Sequence, residues 1–237
     1  MKQAFAHDWP SDEIDAARLQ CSLAALVERA DRLGDVRTIA GVDVAYDKCS
    51  NRLVAAAVVL DLNTLNVVAS ATAHDLERFP YLPGLFSFRE LPPIAAALHK
   101  LDVTPDLIVC DGQGIAHPRR FGLACHLGIL FDVPTIGCGK TRLLGDEEVT
   151  GAERGSSAPL RDGDEIIGCT LRTQDGIKPV YVSVGHRISL ATACDWILRL
   201  SPHFRLPETT RQADQYVKRL LEAAEPVAGA VEAPGDI

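Results

Sequence analysis

The sequence predicts an α/β fold, a mixed central sheet of antiparallel meander plus parallel strands flanked by helices. Three observations predict it. Residues 36–46, 52–62 and 66–74 are β-rich runs joined by short polar connections of hairpin length, 47–51 and 63–66. From residue 88 onward, helical and strand patterns alternate as in a parallel βαβ region. Neither an internal repeat nor an interdomain linker interrupts the chain, so a single domain over residues 1–223 is expected.

The elements follow in order. Residues 11–33 read as an amphipathic helix opened by Ser11, with Ile14, Leu19, Leu23, Ala24, Leu26 and Val27 among its apolar positions. The three meander strands come next. A helix around 88–101 leads into a strand at 106–111, and a helix over 118–131 leads into a strand at 133–138. Residues 143–163, rich in Gly, Ser, Asp and Glu, read as a loop. Strands at 165–172 and 178–184 and helices at 189–200 and 209–223 complete the domain. The tail at 224–237, built from Ala, Glu, Pro, Gly and Val, is expected to be frayed.

Of the 237 residues, 47% are hydrophobic and 24% charged, a globular balance with ample material for a core. No stretch approaches the roughly 20 apolar residues of a membrane span. The start carries acids where a secretory signal would carry a basic and then an apolar patch, so a cytoplasmic protein is expected. Cys21, Cys49, Cys110, Cys125, Cys138, Cys169 and Cys194 show no CxxC spacing, and most sit in apolar runs. They read as buried, reduced thiols rather than a disulfide framework or a zinc site. The net charge of −8 is concentrated at the ends: residues 1–15 carry −3 and residues 222–237 carry −4. Within 111–142, Arg119, Arg120, Lys140 and Arg142 outnumber Asp111 and Asp132. Phosphate contacts depend on such local charge, so the acidic total does not exclude a nucleic-acid partner.

Asp43 lies within the apolar strand 39–46, where a carboxylate is expensive to bury without compensation. Asp111 ends the apolar strand 107–111 and runs into Gly112-Gln113-Gly114, at the carboxyl end of a parallel strand where α/β folds place their ligands. Two strand-borne aspartates suit a hard divalent cation; either alone reads as a cap or loop-exit acid. Glu90 offers a third oxygen ligand, although Ser87 and Glu90 also have capping-box spacing. Phe79-Pro80-Tyr81-Leu82-Pro83-Gly84 is a stiff loop able to present Tyr81 or Leu82 to bases, unless the tyrosine packs on the core. His117-Pro118-Arg119-Arg120 is placed to form an anion site at a helix start. His117 there reads as a phosphate contact, a proton shuttle or an inert surface histidine. Gly137-Cys138-Gly139-Lys140-Thr141 suggests a phosphate loop, but that motif needs a glycine where Pro134 stands. Lys140 remains a candidate cation for a scissile phosphate.

Two long strings carry a resemblance. Residues 80–90 (PYLPGLFSFRE) and 111–122 (DGQGIAHPRRFG) resemble the signatures of the endonuclease V family. The Gly-Val-Asp-Val segment around Asp43, the Gly-Cys-Gly-Lys turn and the Val-Ser-Val-Gly-His-Arg segment follow in the family's order, and the match spans roughly residues 35–220. The resemblance implies an RNase H-like fold and a repair nuclease that needs only a divalent metal, Mg²⁺ with Mn²⁺ able to substitute. It implies action on inosine and other deaminated bases by cutting the second phosphodiester bond 3′ to the lesion. Carried over by motif, Asp43, Glu90 and Asp111 become the metal-binding carboxylates, with Asp214 a further acid at a position where relatives can have histidine. Tyr81, with Leu82 and Pro83 beside it, becomes the wedge that fills the gap left by a flipped base. Lys140 is expected near the reacting phosphate, and His117 and Arg119 among the nucleic-acid contacts. Gly84, Gly112 and Leu143 are the candidates for a tight pocket that admits hypoxanthine and excludes guanine's exocyclic amine. Phe86 stands where Leu is expected in the family, which bears on lesion preference. The expected partner is inosine-containing DNA or RNA, and the expected state a monomer without membrane association. The rival readings are an inosine-specific ribonuclease, a nucleotide-binding phosphotransferase and a nucleic-acid-binding module without cleavage.

Overall fold

The computed structural model describes residues 1–47 and 50–224. The expectations for Cys49 and for the tail at 225–237 lie outside these residues. The chain runs α1 (Glu13–Ala24), β1 (Thr38–Tyr46), β2 (Arg52–Asp61), β3 (Val67–Leu76), α2 (Phe86–His99), β4 (Leu107–Cys110), α3 (Leu123–Phe131), β5 (Thr135–Gly139), β6 (Asp146–Glu147), β7 (Ser157–Asp162), β8 (Glu165–Leu171), β9 (Val180–His186), α4 (Leu190–Arg199) and α5 (Glu208–Ala224). The described strands form one mixed sheet in the order β3-β2-β1-β4-β5-β9-β8-β7-β6. β1, β2 and β3 make the antiparallel meander, and β1, β4 and β5 are parallel. This is an RNase H-like α/β fold. No helix among the described residues is long and apolar enough to cross a membrane.

Side chains alternate along a strand, so each central strand feeds both faces of the sheet. Ala40, Val42, Ile108 and Cys110 pack with Leu91 and Ile94 of α2 and Leu127 and Leu130 of α3. Ile39, Val109, Ile136 and Val182 take the opposite side, with Ala193 and Ile197 of α4. There α5 crosses β1 so closely that a Cβ added at Gly41 would lie 2.1 Å from the Thr209 carbonyl oxygen. Glycine at that position is what lets α5 approach.

Three sequence expectations need correction. The first helix ends at Ala24 rather than 33, and Asp12, not Ser11, caps it by accepting from the Asp15 amide at 2.9 Å. Beyond it, the Glu28 carbonyl and the Arg32 amide bond the backbone of Arg187, a tertiary pairing that overrides helical periodicity. The helix expected over 118–131 begins at Leu123, because Arg120 takes a left-handed conformation (φ 53°) that a helix cannot contain. The segment 143–163, expected to be loop throughout, contains β6 and β7.

Candidate active site

Asp43 and Asp111 come together through strand register. Val42 pairs with Cys110 across parallel β1 and β4, so each aspartate follows one half of that pair. Their backbones are therefore about one interstrand spacing apart, ~4.8 Å. β4 ends at Cys110, whereas β1 continues to Tyr46, so beyond Val42 the β4 side of β1 is open. Asp43 projects to the side opposite Val42, the side on which α5 carries Asp214. Glu90 arrives from α2 on the other side.

The charges report the convergence. The Asp43 carboxyl is pushed up to about 7, chiefly by burial and then by the negative charges of Asp111 and Asp214; Lys140 and the Val44 amide pull the other way. Burial holds the Glu90 carboxyl well above the usual carboxylate range, and Asp43 and Asp111 add to the effect. The Tyr46 hydroxyl donates to Glu90 Oε1 at 2.5 Å, and the Arg89 guanidinium lies 4.5 Å from the Tyr46 ring centre. Lys140, at the end of β5, pairs with the Asp111 carboxylate. Burial opposes its charge, but Asp111, Asp43 and Asp214 together raise its pKa.

Glu90 is therefore not a capping acid. Ser87 lies inside α2, the N-cap Leu85 makes no side-chain bond, and Glu90 is only 5% exposed. Among the described residues, no three His, Cys, Asp or Glu side chains stand ready-made to hold an ion. In this arrangement Glu90 is turned to Tyr46, Asp111 to Lys140, and Asp214 to Lys218 at 2.7 Å. The donor set nevertheless fits a hard divalent cation. It is all carboxylate oxygen, and burial, with the negative charges of Asp111 and Asp214 added to it, moves Asp43 toward neutrality.

Beside the acids opens a recess of about 190 Å³. It gathers Gly84, Gly112 and Leu143 with Tyr81, Leu82, Pro83 and His117, and Phe86 lines it too. Tyr81 is 63% exposed and meets Phe86 edge-on with ring centres 6.2 Å apart, so it is not a core-packed tyrosine. Gly84 has φ +79°, and its carbonyl accepts from Gln20 Nε2 (3.0 Å), Arg119 Nη2 (2.8 Å) and His117 Nε2 (2.8 Å). Burial lowers the His117 pKa to about 4, so the ring is a neutral donor fixing the loop rather than a cationic phosphate ligand. Arg119 also donates to Gln20 Oε1, and Arg120 pairs with Asp162 (2.7 Å) and Glu165 (2.8 Å). Both guanidinium groups of the expected anion site are thus engaged within the protein. Gly137–Thr141 closes β5 without a helix behind it, which removes the phosphate-loop reading.

Sequence reasoning missed Tyr46, Arg89 and Gln20. Tyr46 had a signal, since it continues the 40, 42, 44 alternation toward α2. Gln20 had none, because its partners are 64 and 101 residues away.

Acids drawn together where β4 ends beside the longer β1 inside a sheet of this strand order, next to a recess walled by an exposed tyrosine, are the arrangement of an RNase H-like nuclease. The profile of the Endonuclease V family matches residues 21–215. Endonuclease V of Streptomyces avermitilis is 52% identical over 219 residues, which cover 91% of this chain and 95% of the relative. A crystal structure of Endonuclease V from that organism matches with a TM-score of 0.87 at 51% identity, covering 91% of this chain and 96% of that one. Endonuclease V of Ciona intestinalis, in complex with a 24mer DNA containing an inosine followed by a ribo-adenosine, matches with a TM-score of 0.79. The identity is 26%, over 90% of this chain and 98% of that one. The chain belongs to the endonuclease V family.

Proposed function

We propose that this protein is a repair endonuclease that recognises deaminated bases, chiefly inosine in DNA, and hydrolyses the second phosphodiester bond 3′ to the lesion. The observation that carries the reading is the convergence of Asp43, Glu90, Asp111 and Asp214 beside the recess. Asp43, Glu90 and Asp111 would hold Mg²⁺ or Mn²⁺, with Asp214 next to them. When bound, such a cation lowers the pKa of an attacking water and neutralises charge on the phosphate. Lys140 brings its ammonium to the same place from β5, where it can face the scissile phosphate. Tyr46 holds Glu90 in position. On the substrate side, Tyr81 and Leu82 fill the gap left when the lesion base leaves the stack, a step that costs least for a base already mispaired. Gly84, Gly112 and Leu143 enclose that base, and the Gln20, Arg119 and His117 bonds keep the Gly84 wall from yielding to the bulkier guanine. The inosine-containing DNA bound by the Ciona relative supports this reading.

The ribo-adenosine next to that inosine favours a second reading, in which an inosine followed by a ribonucleotide is also cut. One assay covers both. Duplexes carrying inosine in DNA or RNA, with undamaged controls, are incubated with Mg²⁺ or chelator and the cut is mapped. The expected product is a metal-dependent nick at the second phosphodiester bond 3′ of inosine, absent in Asp43→Ala and Asp111→Ala. Equal nicking of the undamaged control would refute lesion recognition, and binding without nicking would leave only a nucleic-acid-binding module.

A further inference from the structure

The acids have a second neighbour besides the recess. A groove of about 610 Å³ opens beside Lys140 and shares Thr141 and Arg142 with the recess, so that recess, Lys140 and groove lie in succession.

Two arginines build the walls of this groove. Arg205 donates to the carbonyl oxygens of Lys178 (2.9 Å), Lys140 (2.7 Å) and Pro179 (2.9 Å), tying the segment that carries Lys140 to the one that carries Lys178. Arg172 donates in the same way to Gly151 (2.7 Å), Thr150 (3.1 Å) and Ile177. The acids that line the groove are also committed: Glu147 bonds the Tyr181 hydroxyl, and Glu148 pairs with Arg161 at 3.5 Å. Arg142 and Lys178 differ. Both are exposed, and among the described residues neither forms a side-chain hydrogen bond or ion pair.

We propose that this groove holds the phosphate backbone of the substrate strand on the 3′ side of the cut, with Arg142 and Lys178 as phosphate contacts. The inference rests on the function proposed above, because that reading sets the polarity. With the lesion base in the recess and the bond to be cut lying 3′ to it at Lys140, the strand that continues past Lys140 is the 3′ continuation. Exposed lysine and arginine reach phosphate rather than base edges, so the grip is independent of sequence and sensitive to salt.

The test compares wild type with Arg142→Ala/Lys178→Ala, both surface positions, on inosine-containing substrates whose 3′ or 5′ flank is long or trimmed. The readout is kcat/KM over a salt series. For wild type, lengthening the 3′ flank is expected to raise kcat/KM and steepen its salt dependence. Two phosphate contacts correspond to an added log–log slope of roughly 1.5, about tenfold between 50 and 200 mM salt. The double variant is expected to lose both effects, and Arg142→Lys/Lys178→Arg to retain them. A double variant with the wild-type slope and the wild-type gain from the 3′ flank would overturn the groove assignment, as would a loss that follows the 5′ flank. Wild type that leaves every inosine substrate uncut would overturn the parent reading and the groove with it.

Discussion

Asp43→Asn should make the metal-free protein more stable while removing its activity. Raising a buried carboxyl from 3.8 to about 7 costs the ionised native state about 4 kcal/mol. Asparagine keeps the shape and removes the charge. Relaxation around the charge and the loss of the Val44 amide bond reduce the gain, so a stabilisation of about 2 kcal/mol is expected, or ~5 °C in Tm for a chain of this size. The sign of the pH dependence follows from the raised pKa. Below about pH 4 the side chain is protonated in both folded and unfolded chains, and the variant has no advantage. Between pH 4 and 7 the native state keeps a proton that the unfolded chain releases, so the Asp43 contribution to wild-type stability falls as pH rises. Above about pH 7 the penalty is complete and the advantage of Asp43→Asn levels off.

The assay is urea or thermal unfolding of both proteins in chelator across pH 4–8, repeated with Mg²⁺. A cation that binds the native cluster stabilises wild type by mass action and the variant much less, so the order of stability should narrow or reverse with metal. Equal unfolding midpoints at pH 8 in chelator, or a gain as large at pH 4 as at pH 8, would refute the claim that the Asp43 carboxylate is buried beside other carboxylates.

Three further outcomes are expected. Gly41→Ala should destabilise the protein by about 3 kcal/mol and remove activity, because its Cβ meets α5 backbone 2.1 Å away; an unchanged urea midpoint would contradict that packing. His117→Asn should flatten the acid limb of stability. The folded-state pKa of about 4 lies below the ordinary 6.5, so the His117 contribution is full above pH 6.5 and about 3 kcal/mol of it is lost as pH falls through 4; a variant whose pH–stability curve matches wild type would rule this out. Tyr81→Ala should leave stability within about 0.5 kcal/mol, since the ring is largely exposed, and should weaken binding of inosine-containing duplexes; stability lost together with binding would return Tyr81 to the core.

The features legible in the sequence are those whose causes are local. The meander could be read because hairpin-length polar connections separate β-rich runs, and the aspartates because charge inside an apolar strand stands out without any partner in view. The recess candidates other than Leu143 came from two long strings rather than from spacing alone. The illegible features depend on residues far away in the chain. Ser157–Asp162 reads as loop because it lies in a segment rich in Gly, Ser, Asp and Glu, yet it pairs with β8 near the sheet's edge, where only two-residue β6 lies beyond it and the missing N–H of Pro159 is tolerated. Arg119 and Arg120 read as phosphate ligands because their partners, Gln20 and Glu165, lie 99 and 45 residues away.

The location of the acids follows from the same sheet geometry that hides their partnership. Glu90 approaches from the α2 side and Asp214 from the α5 side, and a continuous sheet would separate them. They can influence a common site only where the sheet stops being continuous, and it does so where β4 ends at Cys110 while β1 runs on. Asp43 is the first β1 residue past that break with a side chain on the α5 side, and Asp111 is the first residue of the chain that leaves β4. Gly41, one turn of the alternation earlier on the same side, sets how near α5 can come. The site thus depends on where one strand ends and how closely one helix packs, and neither is written in the spacing of Asp43, Glu90 and Asp111 along the chain.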